Sequence, residues 1–202
     1  MQENIAVKLS DISKQYNNEM ILKNFSMKFI KNKITVLLGP SGCGKTTLLN
    51  IISGIDKNYS GEVLLNVKEV SYIFQEYRLI PWLTVYENVD FVLKSYMEKD
   101  ERNKVIIKYL KLVNLYEHKN KYPGELSGGM QRRVAIARAF AYKSELLLMD
   151  EPFVGLDKDL KQKIIKEFLQ LWKYDKRTII LVTHDMDEAN SMGDDIIDFK
   201  TL

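Results

Sequence analysis

Hydrophobic and polar residues alternate near the start of the chain, which indicates strands with one buried face. The segments 5–10 and 20–30 carry this pattern, and Phe25, Met27 and Phe29 fall on the same side of the second segment. Successive side chains of a strand point to opposite faces of a sheet, so a period of two is typical of a half-buried strand. The pattern predicts an antiparallel β subdomain in this part of the chain.

Three apolar runs further along lack this alternation and predict strands that are buried on both faces. They cover residues 34–38, 146–149 and 178–182. Val63 to Phe74 returns to strand-like residues. Helical patterns occupy 46–53, 84–115 and 130–142, and a further helix is capped by Asp157 and carries an apolar stripe of Leu160, Ile164, Ile165, Phe168 and Leu171.

Buried strands that alternate with helices predict an α/β fold with a mainly parallel sheet covered on both faces. The stretch of about 84–142 is helical with little strand signal, so we expect it to form a subdomain inserted into that core. Thr84 and Glu87 form a capping-box pattern where it begins. We expect residues 1–202 to make one domain with these two additions.

The composition fits an ordinary globular protein of a reducing compartment. Hydrophobic residues make up 46% and charged residues 28%, and the net charge of +3 does not demand nucleic acid as a partner. Cys43 is the only cysteine, so no disulfide within the chain is possible. Met1 to Asn4 lacks the pattern of a signal peptide, and the apolar runs fall far short of the ~20 residues of a membrane-spanning helix. We expect no segment that crosses a bilayer.

A glycine-rich segment between the strand 34–38 and the next helix predicts a phosphate-binding loop. It fits the pattern G-x-x-x-x-G-K-[ST], with Gly39, Pro40, Ser41, Gly42, Cys43, Gly44, Lys45 and Thr46 in that order. The glycines let backbone N–H groups converge on phosphate oxygens at a helix N-terminus. Lys45 is expected to reach the β- and γ-phosphates, and the Thr46 hydroxyl to coordinate Mg²⁺. The simpler alternative is a glycine turn that happens to precede a lysine.

Acidic residues and a histidine follow the other two buried strands, at the edge of a parallel sheet where ligands bind. Asp150 is expected to hold Mg²⁺, directly or through a water molecule. Glu151 is expected to polarise the water molecule that attacks the γ-phosphate. His184 is expected to form a hydrogen bond to the γ-phosphate and to position that water. The alternatives are surface carboxylates and a structural histidine.

A second helix start has the character of a phosphate site. Leu126-Ser127-Gly128-Gly129-Met130-Gln131 opens the helix 130–142 with a serine and two glycines. One γ-phosphate is not expected to need two such sites in the same subunit. A head-to-tail pair of subunits, each offering this segment to the other's nucleotide, accounts for both. A simple helix cap would also favour Ser and Gly.

These segments together resemble the nucleotide-binding subunit of an ATP-binding-cassette (ABC) transporter over nearly the whole chain. Residues 39–47 resemble the family's phosphate loop, 126–131 its signature sequence, 146–151 its magnesium-and-base strand, and His184 its switch histidine. The resemblance implies a P-loop NTPase core that binds ATP and Mg²⁺. It also implies a dimer that closes around two Mg·ATP.

The resemblance assigns roles to further residues. Tyr16 corresponds to an aromatic residue that stacks on adenine, or it is a packing residue. Gln75 corresponds to a glutamine that touches Mg²⁺ and the attacking water, and Gly155-Leu156-Asp157 to a loop that contacts the other subunit. The implied catalytic residues are Glu151, His184, Gln75 and Lys45. The implied metal ligands are Thr46, Gln75 and Asp150, and nucleotide contacts extend to Thr47, Ser127, Gly128, Gly129, Gln131 and Asp157.

The resemblance also implies partners and a location. A cassette of this kind works on the cytoplasmic face of the cell membrane with integral permease subunits, a substrate-binding protein and no nucleic acid. The segment Leu79-Ile80-Pro81-Trp82 resembles importers for nitrate, sulfonates and taurine. Trp82 is expected to offer an apolar surface to the partner, or to pack between the core and the helical subdomain. The alternatives are an exporter, a soluble ABC-type ATPase acting on nucleic acid or ribosomes, and a metabolic P-loop kinase.

Overall fold

The computed structural model describes residues 4–199. The backbone divides into two compact units, which are described separately. The first contains the residues up to Tyr72, Ser144–Glu151 and the residues from Lys176 onward, and the second contains Ile73–Lys143 and Pro152–Asp175. Met1 to Glu3, which contribute to the signal-peptide interpretation, and both ends of the predicted domain 1–202 lie outside the described residues.

Strands and helices follow one another in the order that the apolar pattern suggests. The strands are β1 Ile5–Tyr16, β2 Glu19–Ile30, β3 Ile34–Leu38, β4 Ser60–Leu65, β5 Val70–Ile73, β6 Leu146–Asp150, β7 Thr178–Thr183 and β8 Asp195–Asp198. The α-helices are α1 Lys45–Ile52, α2 Val85–Asp90, α3 Lys99–Leu112, α4 Gly128–Ala141, α5 Lys158–Tyr174 and α6 Met186–Met192. Short 3₁₀ helices cover Tyr116–His118 and Pro123–Glu125.

A three-stranded sheet of order β2-β1-β4 is antiparallel in both of its pairings. Phe25 and Phe29 are buried on one face of β2, and Ser26 and Lys28 are exposed on the other, as predicted. β1 runs on to Tyr16, beyond the predicted 5–10. Register shifts and the left-handed Asp11, at φ 52°, let the pairing continue through polar residues that interrupt the hydrophobic alternation.

A five-stranded sheet of order β5-β6-β7-β3-β8 confirms the predicted parallel core. The pairings of β6 with β7, of β7 with β3 and of β3 with β8 are all parallel. Every residue of β3, β6 and β7 is buried, as expected of strands covered on both faces. The registers bring the carboxyl ends of these three strands to one edge, where the motif residues follow.

The strand-like residues from Val63 to Phe74 belong to two strands. They include the end of β4 and all of β5, which belong to different sheets and are separated by the segment 66–69. Asn66, the first residue after β4, still donates from its backbone N–H to the Ala6 carbonyl and from its side-chain amide to the Ile5 carbonyl. The β-rich composition on both sides of this break conceals it in the sequence.

The second unit is helical and has an aromatic core. The ring of Phe168 on α5 packs edge-on against Phe140 of α4, with 5.3 Å between the ring centroids, and against Phe153. The predicted capping box is present, because the Thr84 hydroxyl accepts from the backbone of Glu87 and the Glu87 carboxylate accepts from that of Thr84. The predicted helical stretch 84–115 holds two helices, α2 and α3.

Candidate nucleotide site

The phosphate loop leaves β3 with a backbone that only glycine adopts easily. Gly42 has φ +83° and Gly44 φ +99°, both in the left-handed region. A Cβ at Gly44 would lie 2.9 Å from a methyl carbon of Ile21, so a side chain is excluded sterically as well. These positions curl the chain between the last residue of β3 and the first residue of α1.

Lys45 lies inside the loop that it follows. It is 4% exposed, and its Nζ donates to the carbonyls of Gly39 at 2.8 Å and of Pro40 at 2.7 Å. A third, longer contact of 3.6 Å reaches the Cys43 sulfur. The ammonium is therefore held over the loop by neutral acceptors. Within the described residues no side chain caps the start of α1, so its first N–H groups face the loop without a side-chain acceptor.

Thr46 and Asp150 face each other across the end of the parallel sheet. The Thr46 hydroxyl donates to Asp150 Oδ1 at 3.1 Å, and Asp150 is 5% exposed. Burial raises the pKa of the Asp150 carboxyl, with a smaller raising effect of Glu151 and lowering effects of the Thr46 hydrogen bond and Lys45. A hydroxyl beside a buried carboxylate is an oxygen donor set that suits Mg²⁺.

Mg²⁺ needs few ligands from the protein itself. Across residues 4–199 no group of three or more His, Cys, Asp or Glu side chains is arranged to hold a metal. Mg²⁺ keeps several waters and is commonly bound by one or two carboxylates together with substrate phosphates. Thr46 and Asp150 match that pattern, and the phosphate loop is adjacent in sequence to Thr46.

Glu151 occupies a strained position directly after β6. Its φ is +43°, an uncommon value for a residue with a side chain, while its N–H donates to the Val182 carbonyl at 2.9 Å. Strain of this kind persists where the surrounding structure enforces it, and it concentrates at functional sites. The turn brings the Glu151 side chain, only 12% exposed, to the sheet edge.

His184 stands beside Glu151 at the same edge. Its Nδ1 lies 3.3 Å from Glu151 Oε2, and its side chain is 48% exposed. It follows β7, whose last residue, Thr183, accepts a hydrogen bond from Gly39 N at 3.2 Å. The parallel registers thus bring together the phosphate loop, the acidic pair and the histidine in the first unit.

Tyr16, at the end of β1, also belongs to the first unit. Its ring is 45% exposed, and its hydroxyl donates to Asp56 Oδ2 at 2.6 Å. Tyr16 also interacts with the side chain of Thr47, the residue after the phosphate-loop motif. The sequence offered no signal for Asp56, which lies in a polar turn.

The remaining predicted site residues lie in the second unit. The Gln75 side chain is exposed, and its backbone carbonyl accepts from Arg132 Nη2 at 2.8 Å. Arg132 also donates to the Phe74 carbonyl at 3.0 Å, and its guanidinium lies 4.6 Å from the centre of the Tyr77 ring. Sequence reasoning missed Arg132 because its acceptors are backbone carbonyls, which any residue provides.

The signature segment begins α4 two residues before the predicted Met130. Ser127 caps the helix by accepting from Met130 N at 3.3 Å, so Gly128 and Gly129 form its first turn. A Cβ on Gly129 would lie 2.5 Å from the Leu160 side chain. Gly129 therefore has a packing reason to be glycine, in addition to any contact with a ligand.

Neighbouring contacts explain two further positions in the signature segment and the position of Asp157. A Cβ on Gly128 would meet the Tyr77 hydroxyl at 3.1 Å. The Gln131 amide donates to the carbonyls of Pro123 and Leu126, which uses its nitrogen to hold the preceding turn. Asp157 caps α5 by accepting from Leu160 N at 3.0 Å, as predicted.

The fold and the loop define a P-loop nucleotide-binding protein, and a comparison of families gives the particular class. The family model described as ABC transporter matches residues 22–154. The chain belongs to the ABC transporter family, as an ATP-binding subunit that hydrolyses ATP. The family assignment made from the sequence is confirmed.

Named relatives extend the match over nearly the whole chain. An uncharacterized ABC transporter ATP-binding protein of Methanocaldococcus jannaschii is 40% identical over 205 residues, covering 96% of this chain and 77% of that protein. The aliphatic sulfonates import ATP-binding protein SsuB of Bacillus subtilis is 39% identical, covering 99% and 80%. The spermidine/putrescine import ATP-binding protein PotA of Acetivibrio thermocellus is 39% identical, and this chain spans 59% of its length.

Solved structures have the same fold. One is a dimeric ATP-binding cassette in a post-hydrolysis state bound to ADP and Pi, with a TM-score of 0.83 and 34% identity over 95% of this chain and 93% of that one. Another is CbiO1 of Clostridium perfringens, part of an ABC transporter complex, with a TM-score of 0.87 and 28% identity over 97% and 85%. Over residues 4–199, no helix is both long and apolar enough to cross a membrane.

Proposed function

We propose that this chain is the ATP-hydrolysing subunit of an importer for a small solute, working as a dimer closed around Mg·ATP. The observation that carries the proposal is the cluster at one sheet edge. Lys45 lies over the phosphate loop, Thr46 and Asp150 form an oxygen pair, and Glu151 lies 3.3 Å from His184. Each group is one that phosphoryl transfer from ATP to water requires.

Lys45 and the loop N–H groups hold the phosphate oxygens, and Glu151 and His184 handle the water. Mg²⁺, held by Thr46 and Asp150, would supply positive charge to the β- and γ-phosphates. The water oxygen attacks the γ-phosphorus, the bond from that phosphorus to the bridging oxygen of ADP breaks, and the water's proton passes to Glu151. His184 orients the water and the γ-phosphate from its place beside the carboxylate. The products are ADP and inorganic phosphate.

The second helix N-terminus supports the proposal of a dimer. α4 begins at Gly128 behind a serine cap, and no acidic residue lies in its first turn. Helix N-termini of this kind favour phosphate oxygens. The signature segment would complete the site of a second copy, with Asp157 at the contact between the copies. The likeness to a dimeric cassette structure supports this arrangement.

The loop that carries Trp82 supports a membrane partner. Trp82 is 75% exposed, which does not favour the interpretation that it packs inside the protein. Asn88, fully buried, fixes this loop by accepting from Ile80 N and donating to the carbonyls of Ile80, Leu83 and Thr84. A rigid loop with an exposed indole suits a helix of a permease on the cytoplasmic face of the membrane.

The solute is proposed by class from the relatives. SsuB proteins of several bacilli, named for import of aliphatic sulfonates, are 37–40% identical to this chain. The segment Leu79-Ile80-Pro81-Trp82 agrees with the nitrate, sulfonate and taurine group. We therefore propose a small organic or inorganic anion as the solute, delivered by a separate substrate-binding protein.

Replacing Glu151 by Gln tests the catalytic assignment. Steady-state ATP hydrolysis should fall by about 10²- to 10⁴-fold, because a positioned general base contributes that much. ATP binding should persist, and size-exclusion chromatography with ATP should show a lasting dimer. Glu145→Gln is the matched control, because Glu145 is an exposed residue just before the opposite end of β6, and it should change neither property. An unaltered rate in Glu151→Gln would contradict the assignment.

Purification of the tagged protein from its native membranes tests the transport function. We expect an integral permease of several spans to remain associated in mild detergent, with a substrate-binding protein encoded nearby. Recovery with ribosomes or DNA and without a membrane protein would leave the ATPase intact. It would move the function to the soluble ABC-type ATPase that acts on nucleic acid or ribosomes.

A further inference from the structure

Lys14 is a buried lysine that the proposed hydrolysis does not use. Its side chain is 4% exposed, and its Nζ lies 2.9 Å from Asp56 Oδ2 and 3.0 Å from Oδ1. It also donates to the carbonyl of Asn58. Taking a lysine and an aspartate out of water is costly, and a hydrophobic pair often serves stability as well. The geometry that this pair imposes is therefore a better reason for its presence than stability.

Asp56 also contacts Tyr16 and so connects the ion pair to the Tyr16 ring. Its Oδ2 accepts from the Tyr16 hydroxyl at 2.6 Å, and Lys14 Nζ lies 4.5 Å from the centre of the Tyr16 ring. The hydrogen bond from Tyr16 is the largest cause that holds the pKa of Asp56 below its usual range. Lys14, Asp56 and Tyr16 thus form a closed triangle, each in contact with the other two. A ring that is 45% exposed would otherwise be free to change rotamer.

The triangle is fixed to the helix that follows the phosphate loop. Asp56 lies just beyond α1, and its N–H donates to the carbonyl of Asn50 in that helix at 3.0 Å. The Asp56 carboxylate also accepts from Asn58 N at 3.0 Å, which closes a tight turn. Tyr16 on β1 is therefore held at a set position relative to α1, and α1 begins at Lys45.

We propose that Lys14 and Asp56 are positioning residues that preset the Tyr16 ring for the adenine of the nucleotide. They act through the Tyr16 hydroxyl, not by touching the nucleotide. The inference rests on the proposed binding of ATP and on the adenine stacking that the family resemblance implies for Tyr16. Its consequence is specific: loss of the triangle should weaken binding of the base and leave binding of the phosphates unchanged.

The test compares a ligand that has adenine with one that does not. Dissociation constants for ADP and for inorganic pyrophosphate are measured by calorimetry on the purified protein. Asp56→Asn and Tyr16→Phe should each weaken ADP binding by about three- to tenfold and leave pyrophosphate binding unaltered. Tyr16→Phe removes the hydroxyl that donates to Asp56, and Asp56→Asn replaces the charged acceptor by a weaker neutral one. Because Asp56 acts through that hydroxyl, the double variant should be no weaker than Tyr16→Phe alone. Tyr16→Phe keeps the ring and the fold, so the test does not depend on Asp56→Asn alone.

The control and the contrary outcomes separate this inference from the role on which it rests. Lys33→Met removes an exposed ion pair with Asp195 in the same unit and should not change ADP binding. Unchanged ADP affinity in Tyr16→Ala would refute adenine stacking itself. Weaker binding in Tyr16→Ala, with normal binding in Tyr16→Phe and Asp56→Asn, would refute only the positioning role. An equal loss of ADP and pyrophosphate in Asp56→Asn would also refute it.

Discussion

The phosphate loop and the Gln75 loop (residues 74–78) are held in place by opposite means. The phosphate loop is held locally, since Lys45 donates to the carbonyls of Gly39 and Pro40 only a few residues before it. The Gln75 loop is held from a distance in sequence by arginines of α4. Arg132 donates to the carbonyls of Phe74 and Gln75.

A second arginine of α4 forms hydrogen bonds to the other end of the Gln75 loop. Arg138 donates to the carbonyls of Arg78 at 2.8 Å and of Tyr77 at 3.1 Å. Burial lowers the pKa of the Arg138 guanidinium, which nevertheless stays charged because arginine titrates so high. The Arg78 guanidinium stacks 3.7 Å from the centre of the Phe74 ring. The helix that begins with the signature segment therefore fixes the backbone around Gln75 at four carbonyls.

Because of this difference, the conformations of the two loops should be sensitive to different changes. The phosphate loop depends on residue types within it. Two of its glycines have left-handed backbones, and its lysine donates to a carbonyl of the same loop. The Gln75 loop depends on the position of α4. Arg132 and Arg138 each donate to two backbone carbonyls of the loop, so a shift of that helix would move these carbonyls. A change in α4 should therefore alter the Gln75 loop without altering the phosphate loop.

Lys45→Ala should give the largest effect. It removes the charge that the phosphates need, and we expect kcat/KM for ATP to fall by about 10²- to 10³-fold, together with a loss of ATP affinity. Steady-state ATPase assays and nucleotide binding measure the two changes. Lys33→Ala, which breaks an exposed ion pair, is the control and should retain wild-type values. Normal hydrolysis by Lys45→Ala would overturn the role of this loop.

Arg132→Met should give an intermediate effect on the other loop. Arg132 is 1% exposed, and methionine fills much of its space without donating to the Phe74 and Gln75 carbonyls. We expect the free energy of unfolding to drop by about 1–3 kcal/mol, as when buried acceptors lose their donor. The kcat for ATP should fall by roughly ten- to a hundredfold, because a slightly misplaced catalytic group has that cost. Affinity for ADP should hardly change.

Arg133→Met separates the stability effect from the catalytic one. Arg133 is the next residue of the same helix, but it donates to the Val113 carbonyl at 3.2 Å, away from the Gln75 loop. The free energy of unfolding of Arg133→Met, measured by urea denaturation, should drop by about as much as that of Arg132→Met. Its kcat should stay near the wild-type value. Equal losses of kcat in the two variants would mean that α4 affects hydrolysis only through overall stability.

The two loops also differ in how far the sequence predicts them. Residues 39–46 form a contiguous pattern whose strand, loop and helix were all expected, and β3, β6 and β7 were evident as apolar runs. Arg132 could not be singled out, because a carbonyl acceptor leaves no trace in the residue type. The same reason hides Asp56, whose partners Lys14 and Tyr16 lie about forty residues away.

Short or broken elements were the other difficulty. α6 and β8 were not predicted, since each is too brief to show a period. The Asp185 carboxylate caps α6 by accepting from Asp187 N and Glu188 N, a local signal that was available in the sequence. The strained φ of Glu151 was not available, because it arises from the pairing of the sheet rather than from the residue itself.

Trp82→Ala should have the smallest effect on the isolated subunit. The side chain is 75% exposed, so the free energy of unfolding should change by no more than about 0.5 kcal/mol, and ATP hydrolysis by the purified chain should be unaltered. Co-purification with the permease from membranes should decrease, because a large exposed aromatic residue is an effective anchor at an interface. Tyr174→Ala, at 71% exposure on α5, is the matched control and should leave co-purification intact. Equal recovery of the permease with Trp82→Ala would contradict a contact through the Trp82 loop. It would not change the roles assigned to the phosphate loop and the Gln75 loop.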